Sequence, residues 1–218
     1  MTIKKKTLVT AAAVATVVIA GCAAVVPKPD YDALLKQMMT GSFRDEGIAK
    51  VDRLQQDAAN AACSAAEGGS PPEAVAAAIQ QAALKGVRMP AGGQFIGDWR
   101  EGEKLAQNGR GMTWTDKSAA PDANGGNCYN CHQITKAEIS FGTIGPSLHH
   151  YGKNRGITDP NSAEAKGIVE YTWTKLWNAK AYNACSGMPR FGHAGLLDEK
   201  QLKDLMALIL DPKSPVNQ

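Results

Sequence analysis

Cys128 and Cys131 stand two residues apart, and His132 follows the second directly. Each thiol of such a run can add across one haem vinyl group, with the short turn between them matching the gap between the two vinyls. The histidine then lies under the porphyrin plane, where it can ligate the iron, so the run reads as the attachment site of one covalently bound haem c. With five cysteines and four histidines in 218 residues, composition alone would produce roughly 0.002 such runs. A thioredoxin-like redox pair would need a βαβ context, which the chain lacks. A zinc site would need a second CxxC or an HxxxH, and neither follows.

The second axial ligand decides the class of chemistry, because a haem held on one face binds gases or peroxide and one held on both faces transfers electrons. Met112, Met188, Met206, His149, His150 and His193 are the available groups. Met206 falls on an apolar helical stripe and reads as core. Met112 precedes the motif. Met188 lies in Cys185-Ser186-Gly187-Met188-Pro189-Arg190-Phe191-Gly192, a Gly/Pro-held loop between two helices that can carry a thioether to the far face of the haem. It is the expected distal ligand by analogy with His/Met cytochromes c. His149, His150 and His193 remain alternatives, each of which reads equally as a surface or structural residue. Gly145-Pro146-Ser147-Leu148 follows the attachment site at the distance where, in cytochromes c, the proline carbonyl accepts the ring N–H of the proximal histidine. Pro146 would thus orient His132 and raise its basicity. Lys153 and Arg155 are candidates for a haem propionate, for a partner surface, or for a solvated pair.

The N-terminus reads as a targeting segment. Lys4, Lys5 and Lys6 form a basic region, and Leu8 to Ala20 an apolar one too short to span a membrane comfortably. Ile19-Ala20-Gly21-Cys22 resembles a lipobox, in which Cys22 would be acylated and become the mature N-terminus; ordinary cleavage nearby is the alternative. Either route exports the chain, which agrees with covalent haem. Residues 1–21 hold three of the 24 basic residues and none of the 21 acidic ones, so the mature chain is neutral. No Lys/Arg stripe suggests nucleic acid. Cys63 and Cys185 remain, an even pair in an oxidising compartment, and a disulfide between them is expected, with two buried thiols as the alternative.

The elements that must position these groups are helices. After the signal (residues 1–21) and a tether (22–29), residues 30–88 read as a helical N-terminal extension. Its expected helices run from Asp30 to Met39, from Ile48 to Glu67, and from a Ser70-Pro71-Pro72-Glu73 cap to Lys85. The extension is Ala-rich, has no titratable cluster, and reads as a structural or docking appendage. Residues 89–218 form the haem domain. Asp98, with Glu101 three positions on, caps a helix to Asn108, and Asp198 with Gln201 caps the last helix. Gly102 inside the first of these costs about 1 kcal/mol against alanine, which a close crossing with the last helix would justify. Glu164 to Trp177 is a further helix, with Tyr171, Trp173 and Trp177 as bulky groups against a porphyrin. No alternating strand pattern occurs, and the chain reads as all-α.

Asp98-Trp99, Gly109-Arg110-Gly111, Gly126-Asn127 with the attachment motif, Gly142-Thr143-Ile144-Gly145-Pro146-Ser147-Leu148, Tyr151-Gly152-Lys153, Met188-Pro189-Arg190-Phe191-Gly192-His193 and Leu210-Asp211-Pro212-Lys213-Ser214-Pro215-Val216-Asn217 together resemble one family over roughly residues 90–217. This is SoxX, the small monohaem c-type cytochrome subunit of the bacterial SoxAX sulfur-oxidation complex. The resemblance implies a class I cytochrome c-like domain in the periplasm. It also implies a SoxA-like c-type cytochrome partner that carries the catalytic cysteine. That pair would act as an L-cysteine S-thiosulfotransferase, conjugating thiosulfate to a cysteine of a SoxYZ-like sulfur carrier. The present chain would pass the released electrons through its His132/Met188 haem to a downstream acceptor, with no catalytic nucleophile of its own. A stand-alone lipid-anchored shuttle to an oxidase or reductase is the alternative. A five-coordinate sensor or peroxidase is a third reading.

Overall fold

A computed structural model describes residues 28–218; the signal segment and Cys22 lie outside the described residues. The described chain is all-α, with six helices and no strand among the described residues. It falls into two compact units that divide after Phe43. The first contains α1 (Tyr31–Ser42), whose N-cap Asp30 accepts the Ala33 N–H, as its short polar side chain at a helix start should.

The second unit, Arg44–Gln218, holds the remaining helices: α2 (Ala58–Ala65), α3 (Glu73–Lys85), α4 (Trp99–Gln107), α5 (Lys166–Trp177) and α6 (Glu199–Leu210). Its centre is the crossing of α4 over α6. A Cβ on Gly102 would lie 2.1 Å from the Asp204 carbonyl oxygen and 3.0 Å from Leu208 Cβ, so only glycine lets the two backbones approach this closely. The helix penalty at Gly102 is offset there by packing. The buried Asp204 carboxylate accepts the Asp98 N–H at 2.9 Å and meets Lys200 at 2.7 Å, which ties the start of α4 to α6. Around the crossing, Trp173, Leu202, Leu205, Met206, Leu208, Leu210 and Val216 form the core.

Cap chemistry sets most helix starts. Asp198 and Gln201 form the expected reciprocal capping box on α6. Asp98 caps α4 through the Arg100 N–H, but Glu101 turns to Lys104 instead of completing a box. Two expectations in the extension are corrected. The helix expected over 48–67 is broken: Val51–Leu54 is one 3-10 turn, Gln55 is extended, and α2 begins only after Asp57. Asp57 is itself the cap, accepting the Asn60 N–H at 2.8 Å. The cap expected at Ser70 also fails. α3 starts at Glu73, and Pro72 occupies the N-cap position with no side-chain bond, because two successive prolines hold the approach extended.

The indole N–H groups of α5 take partners that the sequence did not indicate. Trp173 donates its indole N–H to the Arg88 carbonyl at 2.8 Å and meets Phe95 edge-on. Trp177 donates to the Gly86 carbonyl at 3.1 Å. Both hold the segment that leads out of α3, and Tyr171 lies against Tyr182.

Candidate haem-binding site

Cys128, Tyr129 and Asn130 form a single 3-10 turn, and the Cys131 and His132 N–H groups donate to the Cys128 carbonyl at 3.1 and 2.9 Å. Both thiols are free. Burial pushes the Cys128 thiol up to about 12, with Cys131 adding to the effect.

His132 is oriented from outside its own turn. Its Nδ1 lies 2.7 Å from the Pro146 carbonyl. A carbonyl only accepts, so Nδ1 carries the proton and Nε2 keeps its lone pair. That is the tautomer an iron ligand needs. The chain from 142 to 148 is folded onto the turn by short backbone bonds: Gly142 to Tyr129 (2.8 Å), Gly145 to Cys131 (2.8 Å) and Leu148 to Gln133 (2.7 Å). Gly145 lies against the imidazole so closely that a Cβ there would be 2.1 Å from Cε1. Two free thiols on one turn, and a histidine with one nitrogen tied and the other bare, form the donor set that haem c requires, so the residues present fit the group.

Met188 is half-buried, and like Cys128 it packs on the buried cluster built around Trp173 and α6. Its loop is held at two points. Cys63 of α2 and Cys185 form the expected disulfide. Arg190 meets Asp57 at 2.6 Å. The Asn60 N–H, aided by Arg190, holds the Asp57 carboxyl below its ordinary value. Lys180, which burial pushes below the usual lysine range, donates to the Ala184 carbonyl at 2.9 Å.

The other possible distal ligands have different surroundings. Met206 is fully buried on α6. Met112 offers its carbonyl to Arg53. His193 is exposed and lines a groove of Ala-rich α2 and α3 with Asn178, Lys180 and Arg190. His149 stacks on His150, with ring centres 3.7 Å apart. Burial pushes His149 below the usual histidine range, and its ring nitrogens have no hydrogen-bond partner among the described residues. His150 faces the Gln218 carbonyl at 2.5 Å. The C-terminal tail reinforces that contact, since buried Asn217 accepts the Gly152 and Lys153 N–H groups at 2.9 and 3.1 Å. Arg155 lies over the Tyr151 ring.

Sequence reasoning missed Asp57, Arg190 as its partner, Gly145 as a wall of the imidazole, and Asn217 as the hub of the tail. Asp57 before an alanine run was a legible cap signal, hidden by the helical spacing on both sides of it.

No known protein-family profile matches the chain. It is 33% identical over 197 residues to a protein of Aquifex aeolicus (strain VF5) named "Uncharacterized lipoprotein". The aligned stretch covers 88% of this chain and 85% of that one.

Proposed function

The chain belongs to the family of the Aquifex aeolicus lipoprotein, and from that premise we propose that it is an exported, lipid-anchored monohaem c-type cytochrome. In this reading it is the electron-transfer subunit of a thiosulfate-oxidising SoxAX-type complex. The observation that carries the cytochrome reading is the His132 Nδ1 contact with the Pro146 carbonyl above a CxxCH turn. Cys22 would carry the lipid in the periplasm, in keeping with the name of the relative.

Cys128 and Cys131 would hold the haem through thioethers, with His132 as proximal and Met188 as distal iron ligand. When bound, the group supplies reversible one-electron iron chemistry. The protein does the rest: Pro146 keeps His132 in one tautomer, Gly145 leaves room for its ring, and the 183–193 loop presents a soft thioether. With Cys63 and Cys185 joined in a disulfide, Cys128 and Cys131 in thioethers and Cys22 acylated, no thiol would remain for sulfur conjugation, and the catalytic cysteine would belong to a SoxA-like partner. The lipoprotein relative equally suits a second reading, a stand-alone anchored shuttle to an oxidase or reductase.

The test begins with haem staining on a denaturing gel, where the band should persist in the wild type and vanish in Cys128→Ser/Cys131→Ser. An unstained wild-type band would end the cytochrome reading. Met188→Ala should abolish the ferric thioether charge-transfer band; survival of the band would remove Met188 as ligand. Purification from native membranes through a C-terminal tag separates the two cytochrome readings. A stoichiometric second c-type cytochrome and thiosulfate-dependent reduction support the complex. Recovery alone, or with a terminal oxidase, supports the shuttle.

A further inference from the structure

The Met188 loop has little structure of its own. Between Asn183 and Met188 its hydrogen bonds reach no further than the turn just before it: Asn183 N–H to the Ala179 carbonyl, Lys180 Nζ to the Ala184 carbonyl, Cys185 N–H to Asn183 Oδ1, Ser186 N–H to the Asn183 carbonyl, and Met188 N–H to Ser186 Oγ. It belongs to no helix. Its two ties to residues far back in the chain come from α2 and its cap. The Cys63–Cys185 disulfide lies on the N-terminal side of Met188 and the Asp57–Arg190 ion pair on the C-terminal side. The carboxylate that caps α2 thus also anchors the loop, so the start of the helix and the position of the loop are set by one group. Trp177 adds a third tie, since its carbonyl accepts the His193 N–H while its indole holds Gly86 at the end of α3.

We propose that α2 is a brace for the distal ligand: Cys63 and Asp57 are positioning residues that hold the Met188 thioether from both flanks and so keep the sixth iron position closed to small exogenous ligands. This rests on the reading of Met188 as the distal ligand. The physical cause is chain entropy. A short segment fixed at both ends explores few conformations, and releasing an end would free the Met188 side chain to move without breaking any element of the fold.

The experiment uses the full haem-loaded chain, ferric, with imidazole as the probe ligand. The wild-type spectrum is read first. Absence of a thioether charge-transfer band there defeats the ligand reading, and the brace with it, before any variant is made. With the band present, Cys63→Ser/Cys185→Ser should weaken it and bind imidazole about tenfold or more tightly, equivalent to about 1.4 kcal/mol. Hydrogen exchange should accelerate in 183–193 and stay slow in α6. Asp57→Asn should raise imidazole affinity about threefold, and Asp57→Glu should restore it; this arm decides the matter if the serine variant loses α6 protection and so has not folded. Imidazole affinity and band intensity equal to wild type in the folded variants would overturn the proposal, with the ligand reading intact.

Discussion

The two sides of the candidate site are held by opposite means. The attachment side is local: Cys128 to Leu148 folds on itself through the Cys128 turn, the Gly142 and Gly145 bonds and the Pro146 carbonyl. The Met188 side is supported from far along the chain, by Cys63 and Asp57. On the reading proposed above, a turn that would receive a covalent bond suits a self-contained segment, and a thioether that would serve as a labile ligand suits a loop whose anchors belong to another element. The difference teaches that α2 and its cap, which offer no chemistry of their own, support the Met188 loop.

Three measurements break or sharpen that contrast. The largest effect is expected from Cys63→Ala/Cys185→Ala, which should cost about 2–5 kcal/mol in a thermal melt. Amide exchange should rise in 57–65 and 183–193 and remain slow in 128–148. Equal loosening of both regions would erase the contrast. Next is Gly145→Ala. Its Cβ would sit 2.1 Å from His132 Cε1, and such overpacking costs about 1–3 kcal/mol. The disturbance should be confined to 128–148, visible as altered His132 ring resonances, while Met188 resonances hold. A shift at Met188 as large as that at His132 would couple the two sides.

The smallest effect is the pH response of the Asp57 anchor. Its carboxyl is held below 3.8 by the Asn60 N–H and by Arg190. A lowered folded-state value means that the contribution is complete above the ordinary value and is lost as pH falls through the folded one. The pair is partly exposed, Arg190 by 23% and Asp57 by 43%, which limits its worth to about 1 kcal/mol or less. Exchange in 183–193 should therefore be flat from neutrality to about pH 4 and rise below it, and the rise should be absent in Asp57→Asn. An identical acid limb in that variant would assign the response elsewhere.

Much of this was legible in the residues because it is local or forced. Asp98 and Asp198 announce helix starts, and Gly102 has no reason to stand inside α4 except the crossing it makes with α6. The Cys63–Cys185 pairing followed from the cysteines left over. The break before α2 was not legible, because Ile48, Val51, Leu54 and Ala58 keep helical spacing across it. What ends that helix is the engagement of Asp57 with the Asn60 N–H and with Arg190. The hydrogen-bond partners of Trp173 and Trp177 were not legible for a similar reason. An indole suits any apolar wall, and only the fold brings the Arg88 and Gly86 carbonyls to their N–H groups.

The sequence by itself determined the helical class, the spacing of the Cys128–His132 turn and the proline that follows it, because those depend on covalent geometry and on residues a few positions apart. Only the tertiary structure decided which distant groups hold the Met188 loop, where the tryptophans point and which carboxylate serves two elements at once. Those contacts join residues far apart in the chain, and no local propensity or periodicity encodes which of many compatible partners will meet.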